Sequence, residues 1–441
     1  MRVYTKGFLG LALAGAVSVT AACDDFLDVK NQNNLEADAV DEERDRSLLS
    51  QSAFQSFVSG YGNHIVYAAW FTNEARVGDT FPTRNDFGKR DVPPNSDNTG
   101  RWNNLHGTVQ FAETTIRMIE PGGDNIDLAR AYFASGYGIL MVAEYFCEGT
   151  LAESWTVPRP PMTSQALMDS AIVRLERANT IAKGLTGTEA ANIANAALVG
   201  IARAQLFLGR NAQASAAAAQ VPANFEYMLL HLDDPSNRGR LGNQVWSFSE
   251  SRISLVVGDE WRDIANCGEY RPGGTRNNDG SSSLCPLNSP TGDPRISYVD
   301  MGRVAQDGVL RFHRQDKYEG WGDPERLASG LEARYIKVEA DGDPAAMLTF
   351  INERRAAGNQ EPMAPTTDMD VLIRELLEQK GRDFWLEGKR IGDLRRHPDK
   401  VPYIIPPGPN YYKPELGLVG DQVCWPVPLT EIQNNPLWPK T

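Results

Sequence analysis

Histidine and cysteine are both scarce in this 441-residue chain, with five of each. The histidines, His64, His106, His231, His313 and His397, lie near none of the cysteines in metal-ligand spacing, so no zinc site is expected. Catalytic signatures are missing as well. There is no G-x-S-x-G elbow, no H-E-x-x-H, no phosphate loop and no strand-borne dinucleotide fingerprint. Acid pairs such as Asp86 with Asp91, or Asp293 with Asp300, carry no weight as glycosidase carboxylates, because 57 acidic residues guarantee such coincidences. A calcium ion at Asn277-Asn278-Asp279-Gly280 is compatible with the residue types and nothing more, so no catalytic residue, metal or cofactor is assigned. Positive charge is also short. Lys and Arg number 44, for a formal net charge of −13, and a chain of that sign repels the phosphates of nucleic acid. Beyond residue 22 no stretch is apolar enough to span a membrane.

What the N-terminus does have is the layout of an export signal. Arg2 and Lys6 precede an apolar run over residues 7–22 that ends in small residues before Cys23, and the run is too short for a membrane-spanning helix. Val19-Thr20-Ala21-Ala22-Cys23 resembles a bacterial lipobox, with Thr20 where Leu is usual. On this reading residues 1–22 are removed and Cys23 is acylated, so membrane attachment rests on lipid alone. The mature formal charge becomes −15, because Arg2 and Lys6 are lost. Residues 23–45, polar and acidic, read as a tether. Four cysteines then remain in an exported chain: Cys147, Cys267, Cys285 and Cys424. Three connectivities are possible. We favour Cys267–Cys285, which clips the Gly- and Ser-rich loop between them, together with Cys147–Cys424, which ties a mid-chain helix end to the C-terminal segment.

Helical periodicity fills much of the rest. A first helix is expected from about Ser47 to Tyr67, with a second around residues 65–75. Further helices are expected over 127–146, 163–182, 189–208 and 212–219. Leu208-Gly209-Arg210-Asn211-Ala212-Gln213-Ala214 resembles the corner of a tetratricopeptide repeat, where small residues let two helices approach. The expected fold is mainly α, with helical pairs packed against a loop-rich portion. Two stretches lack the period. Residues 73–104 crowd Asn73, Glu74, Arg76, Arg84 and Asp86 into a segment broken by Pro82, Pro93 and Pro94 and ending at Trp102. Planar polar groups beside aromatic rings suit a polyol ligand, and the same residues equally suit a solvated loop with Asn and Asp in its turns. Residues 221–326 are rich in Gly, Pro, Asn, Ser and aromatics, and an irregular region that long is usually functional. Its candidate ring platforms are Trp246, Trp261, Tyr270, Tyr298, Tyr318 and Trp321. Trp246 sits in an alternating run and is expected to be buried. Trp261 and Trp321, flanked by Asp, Glu and Gly, are expected to be exposed.

The stretch over residues 375–396 repeats apolar residues at Leu372, Ile373, Leu376, Leu377 and Phe384 on one helical face. Thr367 or Asp368 can cap it. Glu378–Arg382 and Glu387–Arg390 stand at ion-pair spacing, and Gly388 is a natural place to end or bend. The run Gly381, Phe384, Trp385, Leu386, Glu387, Gly388, Arg390, Asp393, Leu394, Arg395 resembles the C-terminal signature of the SusD/RagB family. Agreement extends to Asp24-Asp25-Phe26-Leu27-Asp28, to Asp293-Pro294-Arg295-Ile296 with its Arg expected to be structural, and to the ending Pro426-Val427-Pro428 with Glu431-Ile432 and Asn435-Pro436. A tail over 397–441 so rich in Pro is not expected to be helical.

The resemblance implies a surface lipoprotein of the outer membrane. It would bind oligosaccharide or a similar nutrient without catalysis and deliver it to a SusC-like TonB-dependent transporter. It also implies one SusD-like domain over 46–441, its helical scaffold mainly at 46–72, 105–219 and 331–396, its ligand-facing loops at 73–104 and 221–326. The expected ligand-binding set is Asn73, Glu74, Arg76, Arg84, Asp86, Trp102, Trp261, Tyr298 and Trp321. A receptor for peptides or other non-glycan nutrients, or a protein-interaction scaffold built on the tetratricopeptide-like helices, is the alternative.

Overall fold

The computed structural model describes residues 44–95, 98–151, 157–262 and 292–439. The export signal, Cys23, the proposed Cys267–Cys285 pair, Tyr270 and the residues 277–280 lie outside the described residues. The chain divides into two units, Met1–Asp45 and Arg46–Thr441, and the helices and strands of the described residues belong to the second.

Helix α1 (Arg46–Phe71) is a single element, where the sequence suggested two. No proline interrupts it, Asn63 donates back to Ser59 O at 3.1 Å instead of capping a new start, and its buried residues Ala53, Phe57, Tyr61, Ile65 and Ala68 keep one helical row throughout. After strand β1 (Arg76–Val77) comes α2 (Pro82–Gly88), inside the stretch read as irregular. Pro82 opens α2, a place where its missing N–H has no partner to lose. Helix α3 (Asn98–Ile119) buries Trp102, Leu105, Val109, Ala112 and Ile116 on one face. Helix α4 (Ile126–Tyr145) begins at Asn125, whose side chain accepts from Leu128 N at 3.0 Å, and is buried almost all round. It is the central rod, and α1, α3, α5 (Ser164–Lys183) and α6 (Thr188–Phe207) pack around it. Where α4, α5 and α6 meet at Leu175, a Cβ on Gly136 or Gly200 would come within 2.6 or 2.7 Å of that side chain, so both positions must be glycine for the helices to close. Helix α7 (Asn211–Ala218) continues the stack.

Strands occur only as antiparallel pairs among the described residues. β2 (Glu148–Gly149) pairs with β3 (Met162–Thr163), and β1 pairs with β5 (Leu255–Val256) with Arg76 opposite Val256. β4 (Glu226–Leu229) pairs with β8 (Glu325–Ser329), while β6 (Tyr298–Val304) and β7 (Arg311–Gln315) form a bulged hairpin. β8 runs straight into α8 (Gly330–Asp341), capped by Ser329, and α8 packs on α7. The final helices are α9 (Pro344–Ala357), α10 (Met369–Asp383) and α11 (Arg390–Arg396). Asp368 caps α10, accepting from Asp370 N at 2.9 Å.

Between α10 and α11 the chain turns sharply. Leu386 (φ 57°) and Gly388 (φ 69°) are both left-handed, and a Cβ at Gly388 would fall 2.7 Å from Tyr145 Oη. The ion pair expected between Glu387 and Arg390 does not form, because this turn sends the two side chains apart. Glu387 meets Lys317, Arg326 and Lys389, whereas Arg390 donates to the carbonyls of Thr72 and Pro402. Glu378–Arg382 is made. Arg295 binds Asp293 at 2.6 Å and Asp383 at 3.1 Å, a structural role.

The proline-rich tail is not wholly extended. Helix α12 (Leu429–Asn434) fits between Pro428, at its cap, and Pro436, beyond its end, so neither ring breaks it. Upstream of it the tail is tied to α4. Cys424 and Cys147 form a disulfide closing 277 residues, and Trp425 N donates to Tyr145 O at 2.7 Å. Trp425, fully buried, stacks on Tyr145 at 5.0 Å and meets Phe87 edge-on at 5.1 Å. Replacing both Cys147 and Cys424 by Ser should lower unfolding free energy by about 2–4 kcal/mol. Denaturant unfolding of the variant beside the parent measures this, and equal midpoints would show that the tail is held without the disulfide.

Candidate functional site

The residues singled out in 73–104 separate into two groups, one inside the frame and one near the surface. Asn73 leaves α1 in the left-handed region (φ 58°), where Asn is tolerated, and its Nδ2 donates to Tyr403 O at 2.7 Å. Trp261 Nε1 donates to Asn73 O at 2.6 Å, and Trp385 Nε1 donates to Glu74 O at 2.9 Å. The two indoles stack at 5.9 Å, with Tyr403 edge-on to Trp261 at 5.4 Å. Trp261 is therefore wholly buried, not exposed as its polar neighbours suggested: Glu260 beside it turns to Arg76 while the indole turns inward. Glu74, also buried, accepts from Leu386 N at 3.0 Å and from Thr72 Oγ1 at 3.2 Å. Burial pushes its carboxyl up to about 7 against the pull of Arg390. Asn73, Glu74 and Trp261 thus hold the turn after α1 and are closed to a ligand in this conformation.

Nearer the surface, Arg76 is buried and paired with Glu260 at 2.8 Å. Its guanidinium lies 4.8 Å from the ring centre of Tyr411 and 4.4 Å from that of Tyr412, and Tyr411 Oη bonds both Arg76 and Glu260. The Tyr411 residue remains 51% exposed. On α2, Phe81 is 52% exposed, and the Arg84 guanidinium, paired with Asp79, sits 4.6 Å from its ring centre. Lys413 joins these parts: its Nζ donates to Asp79 O at 3.0 Å and Asn85 Oδ1 at 3.2 Å and pairs with Asp307 at 2.8 Å. The result is two half-exposed rings, each beside a guanidinium. Asp86, also on α2, faces Lys89 at 3.5 Å, and partial burial raises its carboxyl.

Sequence reasoning passed over Phe81 and Tyr411. The available signal is Phe81 directly before Pro82, and Tyr411-Tyr412 set in a Gly- and Pro-rich run.

Trp321 is half-buried with the Arg238 guanidinium 5.6 Å from its ring centre. Tyr298, half-buried on β6, meets His313 edge-on at 5.5 Å. Trp246, expected to be buried, is half-exposed with Arg314 at 5.1 Å, because a helical turn over Gln244–Trp246 replaces the expected strand. Tyr318 is buried. Trp102 is 3% exposed, stacked on His106 at 3.8 Å, and forms one wall of a separate cleft of about 380 Å³. Among the described residues no group of acidic, His and Cys side chains is placed to hold a metal, and no helix is long and apolar enough to cross a membrane.

No family model and no curated protein matches the sequence. Solved structures do match the fold. A SusD superfamily protein from Bacteroides vulgatus superposes with a TM-score of 0.65 at 14% identity, covering 90% of this chain and 98% of its own. A SusD/RagB family protein from Bacteroides thetaiotaomicron gives 0.60 at 15% identity, over 89% and 94%. A SusD-like carbohydrate-binding protein from Bacteroides fragilis gives 0.64 at 13%, over 88% and 98%. This chain has the SusD-like fold. At such identities the shared SusD-like architecture says how the helices and loops are arranged and leaves the ligand to be argued from the side chains.

In this SusD-like chain, Glu74 gives a pH signature for the frame beneath the loop face. Its carboxyl sits at about 7 when folded and near 4.5 when unfolded, so the folded state favours the proton. The stability it contributes is fully present below about pH 4.5 and is lost as pH rises through about 7. Glu74→Gln should therefore gain on the parent progressively across that window in denaturant unfolding. Parallel stability curves would mean Glu74 does not titrate with folding.

Proposed function

We propose that this chain is a non-catalytic receptor that binds oligosaccharide on the face carrying Phe81 and Tyr411. It then delivers the ligand to a SusC-like TonB-dependent transporter, while lipid on Cys23 keeps it at the outer membrane. The observation that carries the reading is the pair of half-exposed rings held beside the buried Arg76–Glu260 pair and the partly buried Arg84–Asp79 pair. A sugar ring offers apolar C–H faces to aromatic carbon and a rim of hydroxyls to guanidinium and carboxylate groups, so this combination matches it on both counts. Because the rings are already held, little side-chain freedom is lost on binding. The carbohydrate-binding neighbour from Bacteroides fragilis shares the fold and supports the same class of ligand. Trp321, half-buried beside Arg238, is proposed as a further platform on the irregular side, with Asp86 and Tyr298 as polar contacts. Asn73, Glu74 and Trp261 serve the face from below by fixing its backbone.

The test is calorimetric titration of the full chain with neutral oligosaccharides, first selected on a glycan array. Phe81→Ala and Tyr411→Ala should each weaken binding by about three- to tenfold, the worth of one ring contact. Each variant should keep the parent's helical content. Failure of the parent to bind any saccharide, or unchanged affinity in both variants, would sink the oligosaccharide reading.

A further inference from the structure

Glu325, on β8, is wholly buried, and its seat against α1 is tight: a Cβ on Gly62 would come within 3.1 Å of one carboxylate oxygen and 3.2 Å of the other. A carboxylate without water needs a cation. Arg326 beside it turns away to Glu226 and Glu387, and among the described residues the cation that reaches Glu325 is His231, with Nε2 3.1 Å from Oε2. No other donor among them bonds either oxygen. The His231 ring also meets the Leu241 carbonyl, a second acceptor. An imidazolium presents an N–H at each nitrogen, whereas the neutral ring has one. Burial pulls the ring down, yet Glu325 and Leu241 outweigh it and hold it above 6.5.

The pair pins a segment that has little else inside the protein. Of residues 230–241, His231 alone is buried, and its neighbours Leu230 and Leu232 point outward at 71% and 57% exposure. Leu232 N donates to Leu241 O at 2.9 Å and closes the base of the loop. Its far end frames Trp321. Asn243 N donates to Trp321 O at 2.8 Å, Asn243 Nδ2 donates to Asp323 O at 3.0 Å, and Arg238 lies 5.6 Å from the ring centre. A Cβ on Gly242 would fall 2.7 Å from the indole, so the backbone lies against the ring there.

The groups around the pair do not change charge near neutrality. Tyr61 on α1, Tyr145 on α4 and Tyr318 after β7 face Glu325, and burial pushes all three hydroxyls far up, so they stay neutral. On the exposed side of the loop, Asp233 is paired with Arg238 at 2.5 Å, and Asp234 is held low by the Asn237 amide. A histidine raised on folding gives stability that is fully present below about pH 6.5 and is lost as pH rises through its higher folded value.

We infer that the His231–Glu325 pair is a proton-operated latch for residues 230–243: the charged ring holds the segment closed beside Trp321, and loss of its proton releases the segment and uncovers that side of the indole. The latch needs no saccharide ligand, and only its effect on capture rests on the platform proposed at Trp321.

The test is amide hydrogen exchange of the full chain from about pH 5 to about pH 9, with each rate corrected for the intrinsic rate at that pH. Protection at Leu232 and Asn243 should fall about fivefold or more with rising pH, relative to the amides of Ile126–Tyr145. In Glu325→Gln, whose amide pairs with a neutral ring, that fall should disappear. Should Glu325→Gln not fold, His231→Gln takes its place, because its amide donates to Glu325 at every pH and should likewise abolish the fall. Protection in the parent that does not change across the range, or a fall that persists in the substituted chain, overturns the latch. A parent that shows the fall but binds no oligosaccharide on an array refutes the Phe81–Tyr411 reading and upholds the latch.

Discussion

Glu387 is 1% exposed, and a carboxylate that deep persists only where cations and donors replace its water. Burial alone pushes its carboxyl up, yet Lys317, Arg326 and Lys389 outweigh that and hold it at about 2. Lys317 reaches it at 2.7 Å, Arg326 at 2.8 Å and Lys389 at 3.5 Å. Each cation also binds elsewhere: Lys317 to Trp385 O, Arg326 to Asp383 O, and Lys389 to Leu327 O and Glu332. One carboxylate therefore gathers the segment after β7, the strand β8, the start of α8 and the turn between α10 and α11. The same turn receives the Tyr61, Tyr145 and Tyr318 hydroxyls on its carbonyls, at 2.8, 3.0 and 3.3 Å.

From this hub the order spreads toward the irregular side. Trp385 and Leu386 bond Glu74, and Trp261, stacked on Trp385, bonds Asn73, so the turn after α1 is fixed by residues hundreds of positions away. Two residues further on, Arg76 supports Tyr411, and the same strand leads to Asp79, Phe81 and Arg84. The helices around α4 supply rigidity, the charged hub joins them to the loops, and the rings proposed for ligand recognition sit at the end of that chain of contacts. Glu74, Glu387, Arg390 and Lys317, charged residues of the kind a site could use, are spent on this joining.

Much of the helical scaffold was legible in the sequence because its signals are local. The expected helices at 127–146, 163–182, 189–208 and 212–219 differ by a residue or so from Ile126–Tyr145, Ser164–Lys183, Thr188–Phe207 and Asn211–Ala218, since periodicity and caps act over single turns. The Cys147–Cys424 bridge was legible from the even cysteine count and the placement of the two residues. The fate of individual aromatics was not. Trp261 is buried because of a partner 188 residues away, and Trp246 is half-exposed because a helical turn replaced a strand. Neither cause leaves a mark in the neighbouring residues. Phe81 and Tyr411 were missed for the converse reason: an exposed ring is defined by the absence of a covering segment, and that depends on the whole fold.

The dependence of the loop face on the Glu387 hub is most directly tested by native-state hydrogen exchange on Glu387→Gln. Removing the charge leaves three cations without their common partner, a change of about 3–5 kcal/mol in buried settings. Protection should fall together at residues 72–78, 317–329 and 384–389, while the helices Ile126–Tyr145 and Thr188–Phe207 exchange as in the parent. Loss confined to 384–389, with 72–78 as protected as before, would contradict the dependence.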